Sequence, residues 1–313
     1  PSDQGHEMSM KLKPVWLSMA LACAWWSTPS TAQEPVGDAV EVAAPESVMT
    51  MRVDGEVVFD TQGKVIEHKV ITPDLEAGVH RFASGQLGAM RFEPVSIDGK
   101  LVNARTFARM TLLARPLENG NFEVGMESVH FFKGKFDASG APKMDPSEDD
   151  NRIGEWTVAS RGRNPGYPIG LMKAGISGAV AVRLLLREDG TVEDAFVTQS
   201  ALFNVRGRDA TLDKARALFE RESIKALKQW RFKPPAGKPD PGNLEWRSGD
   251  IAVFFTMIDY NQNTSGQWRR EARGPKRVAS WEAQRDPRWL VGISAMNGAD
   301  GMMSPDLRIR RRH

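Results

Sequence analysis

GISGAVAVRLLLREDGTVEDAFVTQS, residues 175–200, decides how this chain folds. Val180, Val182, Leu184 and Leu186 alternate with small or charged residues, the period of a strand with one buried face. Asp189-Gly190 supplies a two-residue hairpin, because glycine reaches the positive φ of a type I′ turn at little cost. Residues 191–198 then return as the partner strand. Further on, Leu212, Ala215, Phe219, Ala226, Leu227 and Trp230 recur at three- and four-residue steps, with Lys214, Arg216, Glu220, Arg221, Lys225 and Lys228 between them. That period predicts an amphipathic helix over 210–230. Pro234-Pro235 end it, and residues 251–258 read as a third strand lying back on the sheet.

Five signals in this region occur in a fixed order. They are Tyr167-Pro168; Gly175, Gly178, Val180 and Val182; Asp189-Gly190 followed by Val192; Ser200; and Trp230-Arg231-Phe232 with Pro234. Their order and spacing resemble the C-terminal domain of TonB, the periplasmic end of the energy transducer for outer-membrane transporters. The likeness covers residues 167–262. It implies an α+β unit, an antiparallel sheet packed with a helix in β-β-α-β order. It also implies a partner, because in TonB-like domains the strand after WRFxP is a sheet edge that accepts an extended segment of the transporter. In this chain that strand holds Asp250, Ile251, Ala252, Val253, Phe254, Phe255 and Thr256. Main-chain hydrogen bonds would supply affinity there, and alternate side chains such as Ile251, Val253 and Phe255, or their neighbours, specificity. Tyr167, Pro168, Gly178, Asp189, Gly190, Trp230, Arg231, Phe232 and Pro234 are expected mainly to close the small core.

A diverged copy is expected at 48–133. Met51, Val53, Val57 and Phe59 lead to Gln62-Gly63, after which Val65, Val70 and Ile71 form a second strand; QGKV then matches DGTV, and RFEP (91–94) matches RFKP. The intervening segment, 77–90, holds Gly78, Gly85 and Gly88, each costing about 1 kcal/mol in a helix relative to alanine, so it reads as a broken or partly looped helix. Residues 102–113 read as a strand and 122–132 as an extra strand extending the first sheet. Two small TonB-C-like units result, the first diverged.

The flanks complete the layout. Lys11 and Lys13 precede an apolar run, 15–26, that ends at Ser30-Thr31-Ala32, the pattern of a cleaved secretory signal over residues 1–32. The run is shorter than the roughly twenty apolar residues a membrane helix needs, so the expected location is the periplasm, or the inner membrane if the signal stays uncleaved. Cys23 is the only cysteine and lies inside this run, which leaves the mature chain without thiol chemistry. Residues 33–47 read as a tether and 134–166, rich in proline and glycine, as a linker. Residues 263–313 form a basic tail with eleven Arg or Lys against five Asp or Glu, although the whole chain carries only +2. Two readings fit that tail: a solvated end, or an Arg/Trp surface for anionic envelope material.

Catalytic signatures are missing from the sequence. The five histidines, His6, His68, His80, His130 and His313, are scattered, and there is no HExxH, GxSxG, P-loop or GxGxxG. His68 reads as an exposed strand position. Glu148-Asp149-Asp150 lacks the glycine and distal glutamate of a calcium loop, and Ser200 has no assignable base. At 313 residues and a mean hydropathy of −0.41, the chain reads as a two-domain binding protein. No enzyme activity, metal, cofactor, nucleic acid or small-molecule substrate is expected. The expected partners are TonB-dependent transporters. The alternative is an envelope scaffold that binds peptidoglycan or a membrane surface without transducing energy.

Overall fold

The computed structural model describes residues 40–132, 134–136, 142–144, 152–153, 156–234, 244, 246–256 and 265–282. The signal segment, the acidic run Glu148-Asp149-Asp150, Pro235, Ile258 and the arginine-rich end of the tail lie outside the described residues. Strands β1 (Val40–Ala43), β2 (Glu46–Phe59) and β3 (Val65–Val70) lead to helix α1 (Ala77–Ala89). A small hairpin, β4 (Val95–Ile97) and β5 (Lys100–Val102), precedes the long pair β6 (Ala104–Pro116) and β7 (Phe122–Phe132). Short strands β8 (Gly134–Phe136), β9 (Pro142–Met144), β10 (Arg152–Ile153) and β11 (Trp156–Ser160) follow. Next come α2 (Ile169–Lys173), β12 (Ser177–Leu186), β13 (Val192–Phe203) and α3 (Asp209–Leu227). The described chain ends with β14 (Arg231–Lys233), β15 (Ser248–Phe255), β16 (Arg269–Arg273), β17 (Lys276–Val278) and a 3-10 turn, Ser280–Glu282.

The architecture is α+β, dominated by one antiparallel sheet in the order β15-β12-β13-β16-β2-β6-β7, with β3 also paired to β2. In each half the first hairpin strand becomes central: β12 lies between β13 and β15, and β2 pairs with both β3 and β6. The alternating residues foreseen in the sequence, Val180, Val182, Leu184 and Leu186, all enter one core with Leu202, Phe219, Leu227, Trp230 and Phe255. Each such side chain contributes about 1.5–3 kcal/mol relative to exposure. A second core gathers Val53, Val57 and Phe59 with Val79, Ala83 and Leu87 of α1.

Corresponding turns in the two halves use the same contacts. The Phe92 N–H donates to the Gly63 carbonyl at 2.8 Å, and the Phe232 N–H donates to the Gly190 carbonyl at 2.8 Å. Both glycines sit at positive φ, +77° and +80°, and an added Cβ would fall 1.8 Å and 1.7 Å from the Phe92 and Phe232 oxygens. Both helices also finish alike, with Met90 N–H bonded to Leu87 O and Trp230 N–H to Leu227 O.

Three sequence expectations are revised. α1 is continuous despite its glycines, because its stability comes from the buried Val79, Ala83 and Leu87 rather than from propensity. A Cβ at Gly88 would lie 2.9 Å from the ring of the exposed His68, which would have to swing aside. The tether and linker are partly strand: β1 pairs with β17, and β11 pairs with β14. Trp156, on β11, is fully buried, packs on Trp246 at 4.8 Å and donates its Nε1–H to the Trp246 carbonyl. Residues 269–273, read as tail, form the strand that joins the two halves, through Leu202↔Ala272 on one side and Val48↔Glu271 on the other.

Candidate peptide-docking edge

β15 stands at one end of the sheet, and among the described residues no strand pairs with its outer side. Its ladder with β12 runs from Ser248 to Phe255 without a register shift. β10 comes near β15 but pairs with β11 instead. The opposite end, β7, is different: its pairing with β6 is interrupted between Ser128 and Met126, which leaves Glu127 as a bulge. Bulges are a common guard on edge strands.

One backbone bond sets which groups of β15 face outward. Leu186 N–H donates to the Arg247 carbonyl at 2.8 Å, one step beyond the Leu185↔Ser248 pair. In an antiparallel ladder, directly bonded pairs alternate with non-bonded ones. Gly249, Ile251, Val253 and Phe255 therefore turn their N–H and C=O toward β12. Ser248, Asp250, Ala252 and Phe254 turn theirs toward the outer side.

Side chains divide the same strand by face. Ile251, Val253 and Phe255 point into the α3-side core, where Phe255 stacks on Phe219 with centroids 4.2 Å apart. The three residues expected to read a partner's side chains are thus largely committed to packing. Ala252 lies on the other face with Ala179, Ala181, Ala201 and Phe203, while Phe254 is 40% exposed. Asp250 accepts from Arg183 Nη1 at 2.7 Å, and Arg183 also bonds Ser248 and Glu282. Thr256 follows directly and is half-buried.

The aromatic motif residues Tyr167, Trp230 and Phe232 share the core that Phe255 of this strand enters. Tyr167 meets Phe219 and Phe255 edge-on, at 5.6 Å and 5.7 Å, and donates its hydroxyl to the Ile176 carbonyl. Burial pushes its phenol above the ordinary pKa. Pro168 precedes α2, and Gly178 leaves room for Phe219, whose ring an added Cβ would meet at 3.0 Å. Asp189 Oδ1 accepts from Thr191 N–H, a bond that holds its carboxyl below the ordinary value. Trp230 and Phe232 are buried, Arg231 Nη1 reaches the Trp230 carbonyl, and Pro234 ends the β14 excursion. None of these residues lies on β15; Tyr167 touches it through Phe255, whereas Asp189, Gly190, Arg231 and Pro234 belong to the hairpin turn and to β14, which pairs with β11.

Other candidates resolve into structural roles. Ser200 is buried inside β13 rather than at its end, and its hydroxyl donates to Glu220 of α3. His68 is exposed and meets Ser84 at 3.0 Å. Among the described residues no group of His, Cys, Asp and Glu is arranged to hold a metal, and no helix is long and apolar enough to cross a membrane. A depression of about 50 Å³ lined by Arg163, Glu222, Lys225 and Gln229 is far smaller than small-molecule sites.

The sequence reading missed the ionic seam along β16. Glu271 is fully buried between Arg269 and Arg273 and accepts from Thr50, while Arg273 also pairs with Glu46 and Glu127. Burial alone would push the Glu271 carboxyl up, but the two guanidiniums outweigh it and hold the carboxyl below its ordinary value. The alternating charges of Arg269, Glu271 and Arg273 were the available signal, since period-two charge marks one face of a strand. Comparison with protein-family models, curated proteins and solved structures found no match to this chain.

Proposed function

We propose that this chain is a periplasmic binding module built from two TonB-C-like units, delivered by a cleaved signal peptide, and that the second unit takes an extended peptide along β15 by β-augmentation. The partner is the plug segment of a TonB-dependent outer-membrane transporter. No cofactor or catalytic group takes part. The observation that carries the reading is the condition of the two sheet ends: β15 is unbulged over eight residues, while β7 carries a bulge. A long edge strand without a bulge is a hazard unless it is used or covered. The first unit offers no equivalent edge, because β6, which corresponds to β15, already pairs with β7.

The scaffold alternative drew on the arginines of the tail. Arg269, Arg273 and Arg277 are engaged by Glu271, Glu127 and Glu220, so these three support that alternative poorly. A titration of the full chain with a fluorescent plug-segment peptide tests the proposal. Saturable binding that Ala252→Pro weakens supports it. Absence of binding, or binding indifferent to that substitution, removes it.

A further inference from the structure

We infer that the face formed by α2 and the last two turns of α3 docks on an anionic membrane surface, with a lipid phosphate held between Arg163 and Lys225 and the side chains of Ile169 and Met172 entering the acyl boundary. The inference uses neither β15 nor the arginines of the tail, and it stands apart from the peptide reading.

One segment laid along one helix builds this face. Gly162 lies so close to Gln229 that an added Cβ would fall 2.9 Å from the Gln229 carbonyl oxygen, and an added Cβ at Gly166 would meet Glu222 Oε2 at 3.4 Å. Residues 162–166 therefore run antiparallel to α3, back along its last two turns. Between segment and helix lies the depression of about 50 Å³ lined by Arg163, Asn164, Glu222, Lys225 and Gln229. Its two cations suit a phosphate: a guanidinium can give two parallel N–H bonds to phosphate oxygens, and an ammonium acts as a point charge. Arg221, Lys225 and Lys228 follow one another at four- and three-residue steps, so they form one stripe of the helix. All three are exposed, as is Arg163, and together they outnumber the carboxylate of Glu222, which Arg221 meets at 3.7 Å.

The apolar part follows directly along the chain. Ile169 stands three residues beyond Gly166, so its Cα lies within about 11 Å of that glycine. In α2, Leu171 turns into the core, whereas Ile169 is 65% exposed, Met172 is 42% exposed and Lys173 is exposed beside them. A single exposed aliphatic needs no explanation. Two at a three-residue step, next to a cationic stripe, match an interfacial surface, on which apolar side chains reach the acyl boundary while Lys and Arg meet the phosphates. A soluble polyanion would satisfy the cations and leave Ile169 and Met172 in water.

Cosedimentation of the full chain with vesicles tests this. Vesicles of phosphatidylglycerol and phosphatidylethanolamine are expected to carry the protein down, vesicles of phosphatidylcholine are not, and high salt should weaken the binding. A basic residue near an anionic surface is worth about fivefold in affinity, so Arg163→Glu combined with Lys225→Glu should lower partitioning by roughly tenfold or more. Ile169→Ser combined with Met172→Ser should lower it at unchanged charge. Lys69→Glu combined with Lys100→Glu, in the first unit, should leave it nearly unchanged. All of these positions are exposed, so the variants spare the core. In a Cys23→Ser background, a polarity-sensitive dye on Ile169→Cys should brighten with anionic vesicles, and the same dye on Ile66→Cys, a 54% exposed position of β3, should not. Failure of the wild type to bind anionic vesicles overturns the inference, as does equal binding by the Arg163 and Lys225 double variant. Binding that needs these cations but ignores the Ile169 and Met172 substitutions, with no brightening at position 169, also overturns it, because that marks a site for phosphate alone. Vesicle binding without plug-peptide binding removes only the earlier proposal, and the converse removes only this inference.

Discussion

Adjacent prolines in β15 should have opposite effects on stability and binding. Val253 turns its N–H toward β12, opposite Val180. Proline there deletes the donor and strands a carbonyl on the fully buried Val180, at about 1–3 kcal/mol. Added ring strain brings the total to roughly 3 kcal/mol. Such a loss lowers the melting temperature by roughly 6–12 °C in a protein of this size class. Ala252 turns its N–H outward, and proline is tolerated in edge strands when the missing donor faces away from the sheet. Its cost to the fold should be smaller than that of Val253→Pro. For an incoming strand the ranking reverses. Ala252→Pro removes the central outward donor and leaves the partner's carbonyl unmet, about 1–3 kcal/mol or roughly fivefold to 150-fold in Kd.

Thermal unfolding followed by far-UV circular dichroism and peptide anisotropy on the same samples measure both quantities. The expected pattern is a destabilised Val253→Pro and a stable Ala252→Pro with weakened binding. If Ala252→Pro is the more destabilised of the two, the Leu186–Arg247 bond does not set the phase of the ladder and the assignment of outward groups is wrong. If both variants bind like wild type, the edge is not the docking site.

The hairpin glycines give a matched pair. Gly63→Ala and Gly190→Ala each place a Cβ against a backbone oxygen at positive φ, so each should destabilise by more than the about 0.4–1 kcal/mol that the same replacement gains at a compatible position, measured by urea unfolding. Trp156→Ala removes a fully buried indole and should cost about 3–5 kcal/mol, measured the same way, which would place β11 inside the cooperative unit. Arg273→Met leaves Glu271 and Glu127 without their shared cation and should cost about 3–5 kcal/mol. The pH dependence has a defined sign: Glu271 has its carboxyl held below the ordinary value of 4.5. Its stabilising contribution is therefore complete above that value and is lost as pH falls through the lower folded one. Glu271→Gln should accordingly be less stable near neutrality, with a flatter acid limb in unfolding curves from neutral to acidic pH.

Local pattern carried the second half of the chain far. The alternation through Val180, Val182, Leu184 and Leu186 and the helix before Trp230 appear where residue chemistry placed them. The chain also turns at Asp189-Gly190, but through a three-residue loop closed by Arg187 N–H on Thr191 O, with positive φ at Gly190 and not at Asp189, rather than a two-residue type I′ turn. The correspondence of Gly63 with Gly190, and of Phe92 with Phe232, was legible because each is a short-range chemical requirement. α1 was harder. Its three glycines argue against a helix by propensity, and what holds it, the packing of Val79, Ala83 and Leu87 with Val53, Val57, Val65 and Val70, is contact between separate elements. The docking strand was legible as an element, but not in its phase. Which of Ala252 and Val253 faces outward depends on one bond to Leu186, and no periodicity of side chains reveals where a backbone donor points.

β16 shows why a compositional reading of the tail went astray. Arg269, Glu271 and Arg273 count as charge, and charge in an end segment reads as solvated. In the fold their side chains alternate with Arg270 and Ala272 along a strand that satisfies two neighbours at once, β13 and β2. The burial of Glu271 is tolerable because Arg269, Arg273 and Thr50 all meet it, and an ion pair removed from water persists only with such full satisfaction. A strand completed by a segment far along the chain cannot be recognised before its slot is known. The slot arises because β13 presents Ala201–Phe203 on its side away from β12, and β2 begins at Glu46, well before the part that pairs with β3. Filling that slot is what turns two small sheets into one, with β15 at one end and β7 at the other.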